Sequence, residues 1–169
     1  MAGNGVFTVL PEWAVVMRLL AAMVLGGLIG LDREFKRRPA GLRTHMLVAL
    51  AAALFTMITI ELHLDALSNA GSRNVTADPI RIIEAVTAGV AFIAAGTIIQ
   101  SRGDVKGVTT GSAIWLAGAI GVACGIGYYF IAAAATVFAL IILFLLGWVE
   151  TKWFSDTDDE KAQATRSSD

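Results

Sequence analysis

RRPAGLRTHMLVAL, residues 37–50, decides the fold. Two arginines break at Pro39-Ala40-Gly41, the chain resumes as Leu42-Arg43-Thr44-His45, and it then passes without pause into an apolar run. A solvated loop has no reason to abut so apolar a segment. A connection at a membrane surface does, because a spanning helix of about 20 apolar residues starts where the polar connection stops. Pro39-Ala40-Gly41 reverses the chain, the arginines hold that turn at the surface, and Arg43 and Thr44 anchor and cap the next helix.

The rest of the sequence agrees. Of 169 residues, 56% are hydrophobic and 16% charged, a balance too apolar for a soluble domain of this length. In lipid every backbone polar group must be satisfied within its own segment, so long apolar runs mean helices. The expected fold is an all-α membrane bundle of five transmembrane helices over roughly 12–31, 44–62, 80–100, 109–127 and 129–149. Residues 1–150 form that transmembrane domain, and 151–169 form a polar tail without apolar periodicity, expected to be disordered. The chain shows no signal-peptide pattern at its start. The single cysteine, Cys124, excludes an intrachain disulfide.

Lysine and arginine set the direction. Arg33, Lys36, Arg37, Arg38, Arg43, Arg102, Lys106, Lys152, Lys161 and Arg166 fall on one side, whereas the other side has only Arg73. The N-terminus is therefore expected outside and the C-terminus in the cytoplasm. Asp78-Pro79 fits a helix start. Thr109 and Thr110 after Gly107 offer hydroxyl caps for the fourth span, and Gly125-Ile126-Gly127-Tyr128 a tight turn into the fifth.

Small residues crowd the spans: Gly26 and Gly30 in the first, Gly89 and Gly96 in the third, Gly121 and Gly125 in the fourth. Glycines four apart share a helix face and let backbones approach closely, replacing the hydrophobic drive that lipid removes. Packing inside the bundle is the first use of such faces. Homodimerisation is the second, and a bundle this small favours it.

Charges within spans need partners. Arg18 lies about 9 Å inside its helix by a rise of 1.5 Å per residue. Glu84 lies at similar depth in the third span with Arg81 three residues before it, so an intramembrane ion pair is expected. That pair either fixes helix register or forms an ion- or proton-responsive site. On the inner side Asp32 and Glu34 could hold a divalent cation, as could Glu84. Adjacent arginines make a poor metal site, and pairing of Glu34 with Arg43 is the plainer reading. His45 at a helix start reads as an interface hydrogen-bonder, lacking the partner ligands of a metal site. Thr56, Thr59 and Thr87 could line a polar path or bond to their own helices. No cofactor motif, nucleic-acid patch or catalytic constellation occurs, so no enzyme is expected.

Three ordered blocks carry a family resemblance. GGLIGLDREFKRRPAGLRTHMLVALAAALFT (26–56), DPIRIIEAVTAGVAFIAAGTI (78–98) and VKGVTTGSAIWLAGAIGVACGIG (105–127) resemble the three motifs of the MgtC/SapB family of bacterial inner-membrane proteins. The matching positions are Arg33, Glu34, Pro39, Gly41, Leu42, Arg43 and Thr44, then Asp78, Arg81, Gly89, Phe92 and Gly96, then Gly107, Thr109, Thr110 and Trp115. The chain departs from the family at GVAFIAAG, where members read G-I-G-F-L-G-A-G, and at Glu84, apolar in the family. Some members carry a C-terminal cytoplasmic domain, and this sequence looks like a short form without it. The resemblance implies a multi-pass protein of the bacterial inner membrane, linked to virulence, stress adaptation and growth in low magnesium. It implies modulation of other membrane complexes, such as the F-type ATP synthase or transporters. An ion transporter or channel, for Mg²⁺ or proton-coupled, is the alternative.

Overall fold

The computed structural model describes residues 10–68, 80–101 and 104–145. Five helices and one small hairpin make up the chain: α1 Glu12–Phe35, α2 Leu42–Ser68, α3 Ile80–Ala95, β1 Ile99–Ser101, β2 Asp104–Lys106, α4 Val108–Ile126 and α5 Tyr129–Leu145. Helices α1, α2 and α4 are long and apolar enough to cross a membrane, and α3 and α5 contain shorter apolar stretches.

Local chemistry explains most of the boundaries. Pro11 precedes α1 in extended conformation, and its carbonyl accepts from the amides of Ala14 and Val15 at 2.8 and 3.3 Å. Helix α4 starts after Gly107 (φ 90°) and ends at Gly127 (φ 101°), left-handed positions that glycine occupies without steric cost. The Gly127 and Tyr128 amides return to the Ala123 and Cys124 carbonyls, so α5 begins two residues later, as the expected tight turn requires. Between α1 and α2 the reversal needs left-handed backbone at Arg37 (φ 50°) and Ala40 (φ 56°), uncommon for residues with a Cβ.

Three boundaries differ from the sequence reading. The third span was expected to run to residue 100, but α3 stops at Ala95. Gly96, Thr97 and Ile98 tighten into single turns, the Thr97 hydroxyl donates to the Ala94 carbonyl at 2.7 Å, and β1 pairs antiparallel with β2. Helix α2 starts at Leu42 rather than 44, with Thr44 inside its first turn. No side-chain cap closes the start of α4, so Thr109 and Thr110 lie within the helix rather than capping it. Asp78 and the tail 151–169 lie outside the described residues.

The core is made of small side chains. Ala22, Ile29, Ala49, Ala53, Ala113, Ile120, Cys124, Ala132 and Ala139 form one cluster, and Val48, Val90, Ala94, Ile114 and Ala117 a second. Helix α2 is gripped from both sides by glycine faces. A Cβ on Gly26 would sit 2.7 Å from the Ala49 Cβ, one on Gly30 2.8 Å from the Leu42 Cα, and one on Gly125 2.7 Å from the Ala53 carbonyl oxygen. A Cβ on Gly121 would collide with the Ala49 carbonyl. These contacts order α1 antiparallel and α4 parallel to α2. The faces expected to serve either packing or dimerisation are thus consumed within the bundle, and a dimer through Gly26, Gly30, Gly121 or Gly125 has no surface left there. Gly89 differs, since a Cβ there meets nothing within 4 Å.

Candidate functional site

The ends of α1 and α5 and the starts of α2 and α4 meet at one end of the bundle, where the polar groups concentrate. Arg33, on the last turn of α1, is only 4% exposed. Its Nη2 donates to the Thr110 hydroxyl of α4 at 2.5 Å, joining the first and third sequence blocks across 77 positions. One turn away, Lys36 Nζ lies 2.9 Å from Asp32 Oδ1, donates to the Leu143 carbonyl of α5 at 2.9 Å, and sits 5.0 Å from the centroid of the Phe144 ring. The spacing of four along one helix face was legible in the sequence, but Asp32 was assigned elsewhere.

Glu34 bonds to backbone rather than to Arg43. Its Oε2 accepts from the Leu42 amide at 3.0 Å, satisfying one of the orphan donors at the start of α2. A Cβ on Gly41 would overlap that carboxylate, which explains the glycine there. Arg43 is exposed, as are Pro39 and Glu34 itself. Asp32 and Glu34 therefore serve different partners, and among the described residues no three His, Cys, Asp or Glu side chains gather as a metal site.

His45 is a correction of place. It is fully buried rather than at an interface, lying against the Gly26 and Gly30 face of α1. Its Nδ1 is 2.9 Å from the Gly41 carbonyl oxygen, which requires the ring proton on Nδ1. The Nε2 of His45, the Nε of Arg33 and the Oδ2 of Asp32 are buried without a hydrogen-bond partner. Next to them opens a cleft of about 630 Å³, walled by Asp32, Arg33, Lys36 and Arg38 on one side and by Lys106, Gly107, Thr109 and Thr110 on the other.

The opposite end holds the other intramembrane charges, and the expected ion pair is not there. Arg18 Nη1 donates to the Gly125 carbonyl at 2.8 Å, and its guanidinium packs where a side chain on Gly127 would stand. Glu84 and Arg81 lie on the exposed side of α3. Helices α2 and α4 stand between α1 and α3, so equal depth did not mean contact. Sequence reasoning also passed over Glu61 of α2, whose Oε1 accepts from the Leu10 amide at 2.9 Å. Thr56 and Thr59 bond to their own helix, at the Ala52 and Phe55 carbonyls (2.7 and 3.0 Å). Of the remaining family positions, Phe92 is 83% exposed and Trp115 partly so.

The model of the MgtC family matches residues 19–152. Protein MgtC of Salmonella typhimurium is 37% identical over 131 residues, covering 78% of this chain and 52% of that protein. Protein SapB of Bacillus subtilis is 35% identical over 148 residues, 87% of this chain and 62% of its own length. Protein SrpB of Synechococcus elongatus is 36% identical over 165 residues, 89% of this chain and 88% of its own. The match thus spans little more than half of the first of these and most of the last. No solved structure matches significantly.

Proposed function

The chain belongs to the MgtC family, and on that premise we propose that it is a membrane protein that modulates ion homeostasis or membrane energetics under low magnesium or stress. It acts through contacts with other membrane complexes, of which the F-type ATP synthase and ion transporters are the candidates, and performs no catalysis. It resides in the bacterial inner membrane as five spans, with the Arg33–Lys106 end in the cytoplasm. A homodimer, in this reading, uses the side of α3 that carries Gly89.

The observation that carries the reading is the closure of the bundle around α2. Backbone-to-backbone approach at Gly26, Gly30, Gly121 and Gly125 fills the space between α1, α2 and α4. The hydroxyls of Thr56 and Thr136, both buried, are turned back onto their own helices at Ala52 and Ala132. Such a bundle resembles an interaction module more than a conduit. Weighing against a carrier built on Arg18 and Glu84 is the bond of Arg18 to Gly125.

The test is Mg²⁺ and proton flux in proteoliposomes holding only this protein, beside Glu84→Gln. Folded protein that passes neither ion under an imposed gradient is the expected result. Flux by the protein alone overturns the reading, and flux lost in Glu84→Gln would make it a carrier.

A further inference from the structure

We propose that the cleft at the Arg33 end binds a phosphate-type oxyanion, supplied either by an acidic lipid head group or by free phosphate. Among the described residues lining it, four cations, Arg33, Lys36, Arg38 and Lys106, face one carboxylate, Asp32. Lys36 already neutralises that carboxylate at 2.9 Å, so the cleft keeps a positive excess.

Helix α4 adds to it. Its first turn, Gly107 to Thr110, forms one wall, and the 19-residue helix starts without a side-chain cap. Uncapped first-turn amides together with the helix dipole place roughly half a positive charge at that wall. A helix start alone would say little. The independent observation is Arg33, 96% buried by its 4% exposure, with one donor spent on Thr110 and its Nε without an acceptor. A buried guanidinium with an unspent donor is a costly arrangement, relieved by an anion that takes several hydrogen bonds at once. The Thr110 hydroxyl accepts from Arg33 and still has its own proton to give.

The chemistry favours a tetrahedral oxyanion over a carboxylate. Amides of a helix start, a guanidinium and an ammonium converge from different walls, and three peripheral oxygens can meet all of them. At about 630 Å³ the cleft admits a phosphate with a glycerol still attached. The inference stands apart from the proposed function, because the same charges would line the cleft of a regulator or a carrier.

The experiment uses the full chain in nanodiscs of phosphatidylcholine. In one arm inorganic phosphate is titrated by calorimetry at fixed ionic strength. In the other the discs contain phosphatidic acid, and retained lipid is read by native mass spectrometry. The variants are Arg38→Ala with Lys106→Ala, both at exposed positions, and separately Thr109→Glu, which sets a carboxylate at the start of α4. Binding in at least one arm, weakened about tenfold by the double variant and further by Thr109→Glu, is expected. The responding arm identifies the source of the anion. The proposal falls if neither arm binds, or if the double variant, with unchanged helical signal and melting temperature, binds as tightly as the parent.

Discussion

Helices α3 and α4 are both apolar and both rich in glycine and alanine, yet one is enclosed and the other is laid open. In α4, Gly111, Gly118, Gly121 and Gly125 are all buried, each against α2 or α3 at a distance where no Cβ fits. In α3, Gly89 faces open space and Gly96 meets only carbonyls of its own helix, while Phe92 projects outward. The small-residue spacing is common to both. What differs is the opposing surface: α4 meets the Ala49, Ala52 and Ala53 strip of α2, which is as smooth as itself. A glycine face becomes an interface only when another smooth face is presented to it.

Substitution at the two kinds of glycine should separate most widely. Gly121→Val forces a branched side chain onto the Ala49 carbonyl and should destabilise by about 3 kcal/mol or more, whereas Gly89→Val should stay within about 0.5 kcal/mol. Thermal unfolding in detergent measures both, and equal losses would break the contrast. Next in size is the link between α1 and α4. Thr110→Val keeps the shape but removes the acceptor of buried Arg33, a loss of about 1–3 kcal/mol, and a neutral result would mean that Arg33 is solvated. Smaller still, Glu34→Ala should cost about 0.5–2 kcal/mol by exposing the Leu42 amide at the start of α2, while Glu34→Gln, which keeps a carbonyl acceptor, should recover most of it. The smallest effect is expected between α1 and α3. A double-mutant cycle of Arg18→Met and Glu84→Gln should give a coupling below about 0.3 kcal/mol, and a larger value would restore the ion pair.

Much of this was readable from the residues. The three long helices, the tight turn at Gly127 and the gathering of Arg33, Lys36, Arg38 and Lys106 at one end follow from apolar length, glycine placement and charge distribution. The end of α3 did not, because Thr97-Ile98-Ile99 is apolar enough for helix or strand alike, and composition cannot separate them in so short a run. What ends the helix is tertiary: Gly107 lies against the Thr97 carbonyl so closely that no side chain fits, and the chain must turn there. The polar partners were harder. Arg18, Glu34 and Arg33 each had an ionisable neighbour at plausible spacing, and each bonds instead to a main-chain group or a hydroxyl, which a residue-by-residue reading of charge overlooks.

The enclosure of α4 also bears on how the protein is made. Of the three helices long enough to cross a membrane, α4 is the least apolar and the most surrounded by protein. A segment rich in glycine, threonine and alanine partitions weakly into lipid by itself, because each of these residues contributes little to the transfer. Helices α1 and α2 precede it in the chain and together form the groove that receives it. Chain order therefore lets synthesis deliver the poorest membrane-seeking segment after its receptor exists, and insertion of α4 and its assembly become one event rather than two.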